Sequence, residues 1–240
     1  MNKKIWIYWN RGFHRANELV NACAKSWQHY NPGYEVVLLN DKNMRDYIDI
    51  SHHLHKIKHS TSIQAWSDIF RINLLHKHGG IWVDATVACN KPLDSWIDDH
   101  NKNGFFAFSN PQPSLHVASW FLYAEKNNII LNKWKEEVDN YWEIKPSKGN
   151  YFWFHNLFNN VLENEQCKKM WDDTPKLLAN HNPKPVSSEN PHWFAPYSTG
   201  RLKEIKDIKL DAPVYKLAHG ESSYLMRNET ILGLFNYESK

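Results

Sequence analysis

Asp68 and Arg71 stand three residues apart, and Asp84 follows a glycine pair, Gly79-Gly80, and a short apolar run, Ile81-Trp82-Val83. Spacing of three puts Asp68 and Arg71 on one face of a helix. A guanidinium beside a cleft can pair diphosphate oxygens bidentately, and a carboxylate can accept from ribose hydroxyls. Asp84 is a natural first ligand for a divalent cation, because hard cations take carboxylate oxygen and bridge it to phosphates. A cation so placed neutralises a departing diphosphate and lowers the barrier to group transfer. A bare structural ion pair is the competing reading of Asp68 and Arg71. Their apolar neighbours Ile69, Phe70 and Ile72 argue for a pair half-buried beside the strand that carries Asp84.

The elements that must position these groups are legible around them. Ser60, Thr61 and Ser62 offer helix N-cap hydroxyls, and Ile63, Trp66, Ile69, Phe70 and Leu74 recur at helical spacing. Gly79 and Gly80 supply the positive φ that stops the helix, with His76, Lys77 and His78 in its last turn, where cations suit the dipole. Residues 81–83 then read as a core strand with Asp84 at its carboxyl end, where open α/β sheets bind ligands. Upstream, Lys4 to Trp9 and Tyr34 to Leu39 read as strands on either side of a helix from Ala16 to Tyr30, and Asn40-Asp41 as the cap of a short helix through Tyr47. Downstream the pattern predicts strands at Phe105–Ser109 and Val117–Ala124, and helices at Ile130–Trp142, Tyr151–Glu163 and Glu165–Leu178. A short strand at Val214–Leu217 precedes His219-Gly220, and a last helix is expected over Glu229–Asn236. His52 to His59 reads as a solvated connector, and the proline-dotted 180–199 as a loop-rich surface.

These 240 residues suit one α/β domain, with no repeat and no internal boundary. The net charge of +3 excludes bulk nucleic-acid binding as the main role. Twelve Trp and eleven Tyr suit flat apolar ligand faces such as sugars and bases, although many must simply fill the core. Cys23, Cys89 and Cys167 are too few and too scattered for a disulfide framework or zinc site, which fits a reducing cytoplasm. MNKKIWIYWN has a basic pair without a signal-length apolar run, and no stretch approaches a membrane span. A cytoplasmic protein is expected, at most in weak peripheral contact with the inner face of the membrane.

Ser67-Asp68-x-x-Arg71 followed by Leu75-x-x-x-Gly79-Gly80-x-x-x-Asp84-Ala85-Thr86 resembles the signature of capsular polysaccharide synthesis glycosyltransferases. These are relatives of the DXD sugar-binding proteins of glycosyltransferase family 32 and of clostridial toxin glucosyltransferase domains. Ile5-Trp6-Ile7-Tyr8-Trp9, Ser26-Trp27 and Asn31-Pro32 extend the resemblance, which is strong over residues 4 to 94 and weak after 165. It implies a single GT-A-type domain over 1–240, with a mixed central sheet flanked by helices and a helical, loop-rich C-terminal part. It also implies a bacterial retaining enzyme that moves a hexose, galactose or glucose, from a UDP-sugar. The acceptor would be a polyprenyl-diphosphate-linked oligosaccharide of a capsule or O-antigen repeat. By position Trp9 resembles the aromatic that stacks on the donor's base, and Asn43 a base or ribose contact. Asp68 and Arg71 would hold donor sugar and diphosphate, and Asp84 ribose and metal. Lys216 would add a phosphate contact, and His219 would complete the metal or diphosphate site. The implied cofactor is Mn²⁺ or Mg²⁺ at Asp84, Thr86 and His219. Thr86 departs from the pattern, because the second acid of the DXD motif is a hydroxyl here, and a neutral hydroxyl is a weaker ligand for these ions. Three outcomes stay open: a metal held by Asp84 with C-terminal help, transfer that relies on protein cations, or a non-catalytic nucleotide-sugar or glycan-binding protein. A metal-dependent hydrolase is disfavoured, since no His/Asp cluster falls at ligand spacing.

Overall fold

The computed structural model describes residues 2–51, 62–144, 149–179 and 212–216. The expected connector at 52–59, the loop-rich 180–199, His219-Gly220 and the helix at 229–236 lie outside these residues. The described elements, in chain order, are β1 (Lys4–Tyr8), α1 (Glu18–Tyr30), β2 (Glu35–Leu39), α2 (Ile63–His78), β3 (Gly80–Asp84) and β4 (Val87–Cys89). There follow a one-turn α3 (Ile97–His100), β5 (Phe105–Ser109), β6 (Val117–Ala124), α4 (Ile129–Ile144), α5 (Trp153–Val161), α6 (Glu165–Asp173) and β7 (Val214–Lys216).

Five strands form one mixed sheet in the order β2-β1-β3-β6-β5. β1 runs parallel to both β2 and β3, and β6 runs antiparallel to β3 and β5. Side chains alternate across a strand, so parity sorts the sheet into two faces. Ile5, Ile7, Ile81 and Val83 pack with α1 in one core cluster. Trp6, Tyr8 and Trp82 face the other cluster with α2, α4 and α5. Asp84 shares the parity of Trp82 and is the register partner of Tyr8, so its carboxylate emerges on the α2 side.

α2 is buried along most of its length, from Ala65 through Leu75, as befits a helix sandwiched between sheet and helical layer. Ser62 caps it by accepting from the Ala65 amide. Gly79 stops it at φ 67°, and Gly80 follows at φ 99°. Both glycines are also sterically required. A Cβ on Gly80 would lie 2.7 Å from the Lys4 carbonyl oxygen, and one on Gly79 2.9 Å from the Lys126 amide nitrogen. The close approach lets β3 start pairing with β1 immediately after the helix. α4 and α5 complete the α2 side, with Trp134 stacked on Phe154 at 4.2 Å between centroids.

Several expected elements are shorter than their sequence patterns. Residues 43–46 form a 3₁₀ turn rather than an α-helix through Tyr47. α6 ends at Asp173, five residues early, because Thr174 precedes Pro175 and takes an extended conformation. α5 spans only Trp153–Val161. β4 is an element the sequence pattern did not suggest. It pairs antiparallel with β7 and is clamped to α1 by two buried polar contacts, with a third just beyond both elements. Trp27 Nε1 donates to the Val87 carbonyl at 2.7 Å, Ser26 Oγ accepts the Cys89 amide at 2.8 Å, and Asn31 Oδ1 accepts the Leu93 amide at 2.7 Å. The same Ser26-Trp27 and Asn31 that carried part of the resemblance thus fix the ribbon that carries Lys216.

Candidate functional site

The chain leaves β1 toward β2 on one side and returns through α2 to β3 on the other. β1 and β3 are therefore adjacent parallel strands whose connections diverge, and a crevice opens outside their carboxyl ends. Trp9 and Asn10 follow β1 there, Asp84 closes β3, and α2 contributes Ser67, Asp68 and Arg71. With Thr86, Tyr151, His155 and Lys216 they line a cleft of about 400 Å³.

Arg71 is 4% exposed and ties the site together. Its Nη2 donates to Ser67 Oγ at 3.0 Å and lies 3.2 Å from both Asp68 Oδ1 and Asp84 Oδ1. Nη1 donates to the Ser119 carbonyl at 2.5 Å, and Nε to the Ser67 carbonyl at 3.3 Å. The guanidinium also sits over the Trp82 ring, 5.1 Å from its centroid. Most of its donors are thus engaged within the protein, so Arg71 orients the two carboxylates and lends the cleft its charge.

Asp84 is held from several sides. Trp82 Nε1, two residues back on the same face of β3, donates to Oδ1 at 3.0 Å, and Lys216 Nζ donates to Oδ2 at 2.9 Å. Burial opposes its charge, but Lys216 and then Arg71 outweigh burial and hold the carboxyl well below the usual carboxylate range. Asp68 behaves oppositely. Burial pushes its carboxyl up to about 7; Arg71 pulls it down, while the nearby Asp84 charge raises it further. The ion-pair distance and the raised carboxyl are compatible, because Arg71 divides its charge between two acids. One carboxylate is kept ionised and the other poised near neutrality.

His155 reaches the cleft from α5. Burial, followed by Arg71, pushes its imidazole down to about 4, so it is neutral across the physiological range. Its Nδ1 is buried and has no hydrogen-bond partner among the described residues. Tyr151, 66% exposed, stands at the cleft wall, where an aromatic face can meet a sugar.

Of the residues expected from sequence, Trp9, Asp68, Arg71, Asp84, Thr86 and Lys216 come together around this cleft. Asn43 is not in its lining; its Nδ2 donates to the Leu38 carbonyl at 3.0 Å and its Oδ1 accepts the Asn40 amide at 2.8 Å, closing the turn after β2. His219 lies outside the described residues. The sequence marks Trp82 only as core, and the signal for its second role is the i, i+2 spacing to Asp84. Asp94, the next acid along the chain after Asp84, accepts from Tyr34 Oη at 2.5 Å and Lys3 Nζ at 3.0 Å and does not line the cleft.

Among the described residues the donor set does not suit a divalent cation. Lys216 Nζ lies between Asp84 Oδ2 and Thr86 Oγ1, at 2.9 and 2.8 Å, so an ammonium already takes the space between the two side chains of the DXD-like motif. Asp84 Oδ1 is already engaged by two donors, and Thr86 brings no charge. Among the described residues no group of three or more His, Cys, Asp or Glu could hold a metal ion.

The architecture is the GT-A glycosyltransferase fold. Solved structures of that shape include PaToxG Glycosyltransferase, at TM-score 0.53 and 15% identity over 86% of this chain and 84% of that one. The apo-form glycosyltransferase GlyE of Streptococcus pneumoniae TIGR4 also superposes at 0.53, with 14% identity over 100% of this chain and 61% of that one. The chain belongs to the capsular polysaccharide synthesis protein family, which matches residues 1–233. Inositol phosphoceramide mannosyltransferase 3 of Schizosaccharomyces pombe is 34% identical over 114 residues, 46% of this chain and 27% of the relative. O-glycosyltransferase braB of Annulohypoxylon truncatum is 22% identical over 161 residues, 59% of this chain and 38% of the relative. This chain therefore matches well under half the length of either of these relatives. Among the described residues no helix is long and apolar enough to cross a membrane.

Proposed function

We propose that this chain is a retaining glycosyltransferase, a single domain that moves a hexose from a UDP-sugar to a lipid-linked surface polysaccharide repeat. The observation that carries the reading is the joining of Trp9, Asp84 and Lys216 in the crevice outside β1 and β3. This is the switch point where an open α/β sheet takes a nucleotide. Galactose and glucose are the donor sugars proposed; the mannosyltransferase name of one relative adds mannose to those worth assaying. The acceptor proposed is an oligosaccharide on a polyprenyl diphosphate, met at the membrane surface.

In this reading the base stacks on Trp9, Asp84 accepts from the ribose, and the diphosphate lies toward Lys216 and Arg71. Asp68 and His155 face the sugar, where a carboxyl near neutrality and a neutral imidazole can each hold a hydroxyl without adding a full charge. The acceptor oxygen bonds to the anomeric carbon as the bond to the β-phosphate oxygen breaks. The acceptor proton passes to that departing phosphate oxygen on the same face, so no protein base is required. The chain's contribution is positioning and the electrostatic stabilisation of the leaving diphosphate.

Calorimetric titration with UDP tests this, using Trp9→Ala as control. Base–aromatic stacking contributes about 1–3 kcal/mol, so the variant should bind UDP roughly tenfold or more weakly. Equal affinity for wild type and variant removes the base from Trp9. Binding of UDP and its sugars without release of UDP on any acceptor would favour a nucleotide-sugar-binding protein instead.

A further inference from the structure

We propose that the Lys216 ammonium is the resident cation of the donor site, standing where a DXD-type metal would sit, so that the leaving diphosphate is neutralised without a divalent ion. The inference rests on the transferase reading. It starts from Lys216 Nζ, which donates to both oxygens that a metal would need, Asp84 Oδ2 at 2.9 Å and Thr86 Oγ1 at 2.8 Å.

Charge and donor count point the same way. With threonine at 86 the pair carries one negative charge, which one ammonium balances. A divalent ion on the same oxygens would meet Lys216 at contact distance and Arg71 just behind Asp84, both repelling it. It would also find one carboxylate where magnesium and manganese sites favour more anionic oxygens. Asp84 Oδ1 offers little, since Arg71 and Trp82 already share it.

The ammonium is placed by the fold. β7 pairs with β4 through Val87–Lys216, Ala88–Tyr215 and Cys89–Val214, and Val214 and Tyr215 are fully buried. The Asn90 amide group donates to the Ala212 carbonyl at 2.9 Å, holding the start of the strand. β4 in turn is clamped by Trp27 and Ser26. An ammonium has three N–H donors, and the described residues take two. The side chain is 32% exposed and lines the cleft, so among the described residues its third donor is left for a diphosphate oxygen. Thr86 and Lys216 are thus complementary: a hydroxyl accepts from an ammonium without requiring a second positive charge.

The test uses the full chain, freed of metal, in two titrations. The first adds Mn²⁺ alone and follows free Mn²⁺ by electron paramagnetic resonance; the second adds UDP calorimetrically, in EDTA and in Mn²⁺. Wild type should take up no Mn²⁺ at the cleft and bind UDP within about twofold in either condition. Lys216→Met should weaken UDP binding by about tenfold or more in EDTA, and Lys216→Arg should keep it within a few-fold. Lys216→Met combined with Thr86→Asp should take up Mn²⁺ and bind UDP only in its presence. Thermal melting of each variant, with Lys216→Arg as the folded control, separates lost affinity from lost fold. The proposal is overturned if wild type binds UDP only with Mn²⁺, or if folded Lys216→Met binds UDP as wild type does. Binding of UDP in neither condition overturns it through the transferase reading, a pattern distinct from both.

Discussion

Replacing Arg71 with methionine tests the electrostatic frame of the cleft. The change keeps an unbranched apolar stem but removes the guanidinium that Asp68 and Asp84 share and that sits over the Trp82 and Phe154 rings. It also leaves the Ser119 carbonyl without its donor. Removing one partner of a buried ion pair typically costs about 3–5 kcal/mol. Asp68 can escape part of that cost by staying protonated, so a loss of about 3 kcal/mol at neutral pH is expected. At roughly 2–4 °C per kcal/mol for a chain of this size, the melting temperature should fall by about 6–12 °C. The pH dependence carries the sharper signature. The Asp68 carboxyl is raised in the folded state, so the folded protein binds its proton more tightly than the unfolded chain. Its contribution is therefore fully present below the unfolded value of 3.8 and is lost as pH rises through about 7. Without Arg71 the folded value climbs further, and the penalty of the variant should grow from about pH 5 to about pH 8. Adding Asp68→Asn should recover about 1–2 kcal/mol of that penalty, because one buried acid no longer needs a partner. Urea unfolding of the wild type, the two single variants and the double variant at both pH values measures all of this. A loss below about 1 kcal/mol at both pH values, or no recovery from Asp68→Asn, would refute the shared-cation arrangement.

Other consequences are smaller in scope. Gly80→Ala should destabilise the fold by on the order of 3 kcal/mol, from a positive φ and a Cβ pressed on the Lys4 carbonyl; a melt within a degree or two of wild type would contradict the β1–β3 approach. His155→Ala should lower kcat/KM for glycosyl transfer by about tenfold, the worth of one hydrogen bond to a substrate hydroxyl. Since the imidazole is pushed down to about 4, its neutral form should persist and the pH–rate profile should show no step near the ordinary histidine value. A step near 6.5 that vanishes in the variant would show that burial does not keep the imidazole neutral.

The parts of this molecule that local chemistry controls were readable from sequence. Strands Phe105–Ser109 and Val117–Ala124 have the expected limits, because each is a continuous apolar run bounded by turn residues. The stop at Gly79-Gly80 was readable for the same reason, as was the shared helix face of Asp68 and Arg71. What escaped depends on distant pairing. Val87–Cys89 is three residues long and has no period of its own; it becomes a strand because β7, more than a hundred residues later, lies beside it. With β4 unseen, Lys216 could be read as a phosphate contact but not as the partner of Asp84 and Thr86. Asn43 is the reverse case: its family position suggests a ligand contact, and in the structure its amide bonds the backbone of its own turn. The shortened α6 and the 3₁₀ turn at 43–46 are boundary effects, the first set by the extended residue that proline demands.

In the proposed function Asp84 anchors a nucleotide sugar for transfer in this cleft. The most direct measurement is release of UDP from UDP-glucose and UDP-galactose by wild type and Asp84→Asn, on water and on an oligosaccharide acceptor. Asp84→Asn keeps the shape but removes the charge that Lys216 and Arg71 hold, so release should fall by about a hundredfold or more. Wild-type and variant rates that agree within about twofold would place the chemistry elsewhere and contradict a role for Asp84 in transfer.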